Sequence, residues 1–127
     1  MIGARAPLHV TAVGKLFLLE DGAEQTSDYV SRNGLAVYTR NTIRDPESLT
    51  RELEKVRKLG HAFDNEEAEK GVSCIGAGIY DDEGRLTAGL SVSAPSNRLD
   101  KSWGLKVKDV ADAISRAIGY RSGVRAA

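Results

Sequence analysis

The spacing of hydrophobic positions changes along this chain, and each change predicts an element. Residues 1–9 read as extended, broken by Pro7. Thr11 is placed to cap a short helix carrying Val13, Leu16, Phe17 and Leu19, which Gly22 ends. A second short helix is predicted over 23–32, with Asn33 and Gly34 as its stop. Residues 35–39 form a short apolar stretch, strand or loop. The next helix is clearer. Asp45 caps it, Pro46 takes the first helical position, and Glu47 favours the positive end of the helix dipole. Leu49, Leu53, Val56 and Leu59 follow at helical spacing, Lys55, Arg57 and Lys58 suit the last turn, and Gly60 closes it.

An acidic run over residues 64–69 then reads as a solvated loop. After it the period drops to two. Strands are predicted over 72–80 and 85–93, joined by the turn residues Asp81, Asp82, Glu83 and Gly84. Ala94-Pro95 ends the second strand, and a last helix over about 102–118 buries Val107, Val110, Ala111, Ile114 and Ile118. A strand, helices, a hairpin and a helix make an α+β domain with an antiparallel sheet, a thin sheet for this much helix.

Alternation gives the hairpin two unlike faces. Ile75, Ala77 and Ile79 share one face with Ala88, Leu90 and Val92, as core residues do. The other face carries Val72, Cys74, Gly76 and Gly78, then Thr87, Gly89, Ser91 and Ser93. A turn centred on Asp82 and Glu83 sets Cys74 opposite Ser91, Gly76 opposite Gly89 and Val72 opposite Ser93. Small residues leave volume and hydroxyls supply directional hydrogen bonds, which suits the floor of a small-ligand pocket. A face that a helix approaches closely reads the same way, and the pattern leaves both open.

Composition narrows the classes. The chain has 127 residues, one domain's worth, enough to bury a core without staples. Lys plus Arg and Asp plus Glu are 18 each, so there is no basic excess for nucleic acid, and if the parent protein binds DNA another segment does it. Cys74 is the lone cysteine, which rules out an intrachain disulfide and a Cys-rich zinc site. The longest apolar run, Leu16-Phe17-Leu18-Leu19, is too short to span a bilayer, and the N-terminus lacks a signal-peptide core. These features point to the cytoplasm.

Other constellations are weaker. Thr11 to Lys15 offers free N–H groups at a helix start, an anion site if anything binds there, but lacks P-loop glycine spacing. Gly76-Ala77-Gly78 lies inside a strand and opens no helix, so no dinucleotide fingerprint is present. The acidic run lacks calcium-loop spacing. No cofactor and no metal is therefore predicted. Cys74 with His9 is a candidate nucleophile and base, weighed against the usual inertness of a mid-strand cysteine.

Several blocks taken together resemble one family. They are Gly3-Ala4-Arg5-Ala6-Pro7-Leu8-His9 running through Val10 into Thr11-Ala12-Val13-Gly14-Lys15, and Tyr38-Thr39 with Thr42-Ile43-Arg44-Asp45-Pro46. They continue with Gly60-His61-Ala62-Phe63-Asp64-Asn65-Glu66-Glu67, Gly71-Val72-Ser73-Cys74-Ile75, Gly89-Leu90-Ser91-Val92-Ser93-Ala94-Pro95 and Ile118-Gly119-Tyr120. In order and spacing they are similar to the effector-binding domain of the isocitrate lyase regulator (IclR) family of bacterial transcription factors.

The resemblance implies a GAF-like fold with an antiparallel sheet, and binding of a small metabolite, commonly an organic acid. It also implies a homodimer or homotetramer, and DNA contact only through a separate winged helix-turn-helix domain that is no part of these residues. It implies further that a helix and leading strands preceding Gly3 in the family are missing, so that residues 1–127 are a partial effector domain with an open sheet edge. The family's ligand contacts fall on Ala12 and Val13 at the helix start, on Asp64, and on Val72, Cys74, Ser91 and Ser93 of the hairpin. That hairpin set is the small-residue face, which favours the pocket reading. A thiol-dependent enzyme using Cys74 and an oligomerisation domain with a degenerate pocket are the alternatives.

Overall fold

The computed structural model describes residues 5–121. A 3-10 turn, Leu8–Val10, precedes α1 (Ala12–Asp21), α2 (Ala23–Asn33) and α3 (Pro46–Leu59). Then come β1 (Ala62–Asn65), β2 (Val72–Tyr80), β3 (Leu86–Pro95) and α4 (Trp103–Ala117). The strands form one antiparallel sheet in the order β1-β2-β3.

The helix signals act as read. Thr11 Oγ1 accepts from the Gly14 N–H at 2.9 Å, and Asp45 Oδ1 accepts from the Ser48 N–H at 2.8 Å, with Pro46 at the first turn. Gly60 ends α3 in the left-handed conformation at φ 78°, where a Cβ would be strained.

Helices cover both faces of the sheet. Val107 and Ala111 of α4 pack on Ile75, Ala77 and Ile79. On the other face Ala12 and Leu16 of α1 pack with Val56 and Ala62, and beyond α1 the buried Leu18, Leu49 and Leu53 join it to α3, with Tyr29 and Val30 of α2 partly buried against them. Two helical side chains read as core are not: Val110 is 52% exposed, and Ile118 is the C-cap residue, 48% exposed. Leu59, at the end of α3, is also exposed.

Three further expectations are corrected. The N-terminal extended stretch is no strand: residues 8–10 form the 3-10 turn, and residues 1–4 lie outside the described residues. The acidic run begins inside a strand, so among the described residues the strand that accompanies the hairpin is β1 and not an N-terminal one. The hairpin register is displaced by two residues along β3: Cys74 pairs with Ser93, Gly76 with Ser91, Gly78 with Gly89 and Val72 with Pro95. The cause is local. Asp81 Oδ1 accepts from the N–H groups of Glu83 and Arg85, Gly84 turns the chain at φ 76°, and a bulge after Tyr80–Leu86 leaves Thr87 with no Cα partner. A displacement of two keeps every side chain on its face, except that the bulge passes the place expected for Thr87 to Leu86, which packs towards Gly78.

The acidic run is not solvated either. Lys15, fully buried, donates from its Nζ to Glu52 Oε2 at 2.8 Å, to the Phe63 carbonyl at 2.6 Å and to Glu67 Oε2 at 3.0 Å. Three acceptors match the three protons of an ammonium. Glu67 Oε2 also accepts from the Asn65 N–H at 2.8 Å, and the Glu67 carbonyl accepts from Thr42 Oγ1 at 2.6 Å. This network ties α1, α3, β1 and the 38–45 loop together. Removing one member of a buried ion pair strands the other charge at a cost of about 3–5 kcal/mol. Lys15→Met is expected to lose stability of that order in urea denaturation, and adding Glu67→Leu to Lys15→Met to recover part of it.

His61 sits under α4, 5% exposed, its ring edge-on to Phe63 at 5.3 Å between centroids and against Gly104, where any Cβ would collide with Nε2. Its Nδ1 makes no well-formed hydrogen bond, and the nearby Leu59 backbone only partly offsets its burial. Burial lowers its pKa below the ordinary 6.5, with the Lys108 charge adding to the effect. The unfolded chain therefore takes up the proton first. His61's contribution is complete above about pH 6.5 and shrinks as pH falls from there towards the lowered folded value. Asp64 and Glu67, both raised by burial, act with the opposite sign at lower pH. The melting temperature of the parent chain is expected to fall more steeply than that of His61→Phe between about pH 7 and pH 5, as scanning calorimetry would show.

Candidate functional site

The small-residue face is both covered and open. At Gly76 an added Cβ would lie 3.0 Å from Ala12 Cβ and 3.3 Å from Val13 N, and at Gly89 it would run into the Val13 methyl groups. The glycines thus let the first turn of α1 lie directly on the sheet. Helix packing accounts for this part of the face. Beyond the helix end the same face continues uncovered, with Ser91 and Ser93 exposed and Val72 and Cys74 half-buried.

Across that open part the three strands form a row. Asp64 of β1 pairs with Cys74 of β2, which pairs with Ser93 of β3. Cys74 Sγ lies 3.0 Å from Ser93 Oγ. The neighbouring row, Ala62, Gly76 and Ser91, runs beneath the start of α1. Thr11 Oγ1 takes the Gly14 N–H and the Thr11 carbonyl takes the Lys15 N–H, so the first-turn donors left are those of Ala12 and Val13. The structure therefore brings Ala12, Val13, Asp64, Cys74, Ser91 and Ser93 to one face, with Val72 one step further along β2 opposite Pro95.

Asp64 is 4% exposed and its Oδ1 accepts from the Glu67 N–H at 2.8 Å. Burial raises its pKa above the usual carboxylate range, against the pull of that N–H and of the Lys15 charge. Sequence reading put Asp64 in a loop; the signal for a strand is the short alternation Ala62-Phe63-Asp64, too brief to stand out beside four acidic residues.

The thiol is not activated. Burial pushes Cys74 above the ordinary cysteine value of 9.0, and the Asp64 charge pushes it further, while the Ser93 contact works the other way. His9 offers it no base: its Nδ1 lies 3.0 Å from Tyr29 Oη and its Nε2 lies 2.9 Å from the Ala36 carbonyl. These observations remove the support for a Cys74–His9 nucleophile and base. Cys74 is expected to react with iodoacetamide at pH 8 several-fold more slowly than a free small-molecule thiol, as a mass-spectrometric time course would record.

Two concavities touch this face only at its margins, at Gly78 and at Asp64. One of about 910 Å³ lies at the far end of α1 and is lined by Leu16, Leu19, Val56, Tyr80, Lys108 and Arg116 among others. A smaller one of about 410 Å³ reaches Asp64 from the β1 side, between Phe63, Ser73 and Leu99. Among the described residues no group of three or more His, Cys, Asp or Glu is placed to hold a metal ion.

The site is thus a helix start laid on a sheet face of glycine and hydroxyl residues, with a buried carboxyl at its side, in an α+β domain. Over residues 1–118 the chain matches the family described as bacterial transcriptional regulator IclR C-terminal, and it belongs to that family. It is 38% identical over 125 residues to the HTH-type transcriptional repressor AllR of Escherichia coli (strain K12), a match covering 95% of this chain and 46% of the repressor. The chain thus spans about half the length of the curated relatives it matches. The IclR of Thermotoga maritima superposes with a TM-score of 0.84 at 37% identity, over 94% of this chain and 50% of that one. The inducer-binding domain of the PobR transcription factor from Acinetobacter, a double mutant in complex with 3-hydroxybenzoic acid, superposes with a TM-score of 0.82 at 25% identity, over 91% of this chain and 69% of that one.

Proposed function

We propose that this chain is the effector-sensing part of a bacterial transcriptional regulator, taking a small organic acid on the face formed by Ala12, Val13, Asp64, Val72, Cys74, Ser91 and Ser93. The observation that carries the reading is the convergence of two free first-turn N–H groups, two serine hydroxyls and a buried carboxyl on one uncovered sheet face. A ligand carboxylate sits over the start of α1, where N–H groups and the helix dipole favour negative charge. Ser91 and Ser93 donate to the ligand, Val72 packs against its carbon skeleton, and Asp64 accepts from a ligand hydroxyl. The hydroxy acid in the PobR complex supports that chemistry by analogy.

Binding, not catalysis, is the role. The net charge of zero leaves DNA to a separate winged helix-turn-helix domain, whose affinity the effector changes through a homodimer or homotetramer in the cytoplasm. The curated relatives being transcriptional repressors supports this.

A thermal-shift panel of small carboxylic and hydroxybenzoic acids tests it. An effector at about 100 times its Kd adds about 2.7 kcal/mol of stability. Ser91→Ala is expected to cost about 1–3 kcal/mol of effector binding by calorimetry while leaving the unliganded melting temperature nearly unchanged. A folded sample that no acid stabilises, or an effector bound equally well by Ser91→Ala, counts against this site.

A further inference from the structure

The surroundings of His61 disfavour a charge on its ring. From α4, Gly104 lies so close that a Cβ there would collide with the ring at Nε2, Cδ2 and Cε1. Gly104 stands in the first turn of α4, the positive end of that helix's dipole. Lys108, one turn further on, adds a like charge, and its ion pair with Asp112 at 2.7 Å offsets that only in part. β1 brings the Phe63 ring, edge-on. The last turn of α3 brings Arg57, paired with Glu54, and Lys58, and only the Leu59 backbone there works the other way. An imidazolium carries two N–H donors. Here Nδ1 makes no well-formed hydrogen bond and Nε2 is turned onto Gly104.

The two ends of α4 are held differently. At the start, Ser102 gives no side-chain cap, and the N–H groups of Trp103 and Gly104 donate only to the carbonyls of Asp100 and Lys101 in the turn before. Further along, Ala111 is fully buried on the sheet, and Ser115 Oγ takes the Tyr80 N–H at 2.9 Å. One end is tied to β2 by a hydrogen bond, and the other rests on a titratable ring.

We propose that protonation of His61 undocks the first turn of α4 from the start of β1, so that the domain carries an acid-operated latch at this helix. The charged ring leaves its place for water, and the seat of α4 at Ala111 and Ser115 holds. The proton binds the released ring more readily than the docked one. Undocking therefore begins to grow as pH falls below about 6.5, by at most about tenfold per pH unit, the limit for one proton. The latch acts on the sheet face that carries Ile75 and Ala77, opposite Cys74 and Ser93, so it stands whether or not that other face binds an effector.

Trp103, the lone tryptophan, is the first residue of α4 and is partly buried against its core, so its fluorescence reads the latch. Emission of the full chain is followed from about pH 7.5 to about pH 5, with far-ultraviolet circular dichroism alongside. The emission maximum is expected to move to the red below about pH 6.5 while most of the helical signal is kept. Hydrogen-exchange protection of residues 104–108 is expected to fall several-fold over the same range, and that of residues 111–117 less. His61→Phe is expected to hold the emission constant. Lys108→Met keeps the apolar stem and removes the like charge, so the docked ring takes the proton more readily and the transition moves to lower pH. That shift is read even if His61→Phe fails to fold. An emission maximum that does not move, a red shift that His61→Phe retains, a midpoint indifferent to Lys108→Met, or a shift that coincides with loss of the whole helical signal overturns the proposal.

Discussion

The ammonium of Lys15 is withdrawn from water and surrounded by Glu52, Glu67 and the Phe63 carbonyl, and most of the architecture follows from keeping it there. A buried charge without partners costs several kcal/mol, so the three segments that supply its partners are bound to α1 and to one another. Lys15 projects from α1, Glu52 from α3, Phe63 lies on β1, and Glu67 stands in the connection to β2. Their meeting sets the height and rotation of α1 over the sheet. It also draws the acidic segment inward, where Thr39 and Thr42 hydroxyls hold the carbonyls of Glu66 and Glu67. Glu66 takes a left-handed backbone conformation at φ 53°, and its own carboxylate accepts from the Gly71 N–H.

Placing α1 in this way decides what the sheet face presents. The helix start would collide with any larger residue at Gly76 or Gly89, so close packing and the absence of side chains are one fact seen from two sides. Where the helix ends, the face opens onto hydroxyls, a thiol and a carboxyl. The same burial that holds Asp64 raises its pKa and that of Cys74, which suits them to hydrogen bonding and leaves the thiol a poor nucleophile. Within the first turns of α1, Lys15 anchors the helix to its neighbours, while the N–H groups of Ala12 and Val13 lie at the helix start.

Much of this was legible along the chain because its causes are local. Capping by Thr11 and Asp45, the stop at Gly60, and the alternation that parts Ile75 and Ala77 from Cys74 and Gly76 depend on residues a few positions apart. The α+β class and the two-faced hairpin follow from them. The face of Asp64 did not: β1 is four residues long and acquires its identity from pairing with β2. The hairpin register also escaped, because a bulge at Thr87 answers to the twist and hydrogen bonding of the assembled sheet.

The sequence by itself determined the four helices, the two strands of the hairpin and which side of each hairpin strand is small, because periodicity and capping act within a few residues. Only the tertiary structure decided that an acidic run closes on a lysine about fifty positions earlier, that Asp64 joins Cys74 and Ser93 in one row, and that Val110 is left half exposed. Those outcomes depend on where distant segments meet. Electrostatic pairing across long loops and the number of strands beside a helix leave no mark on any short stretch of sequence.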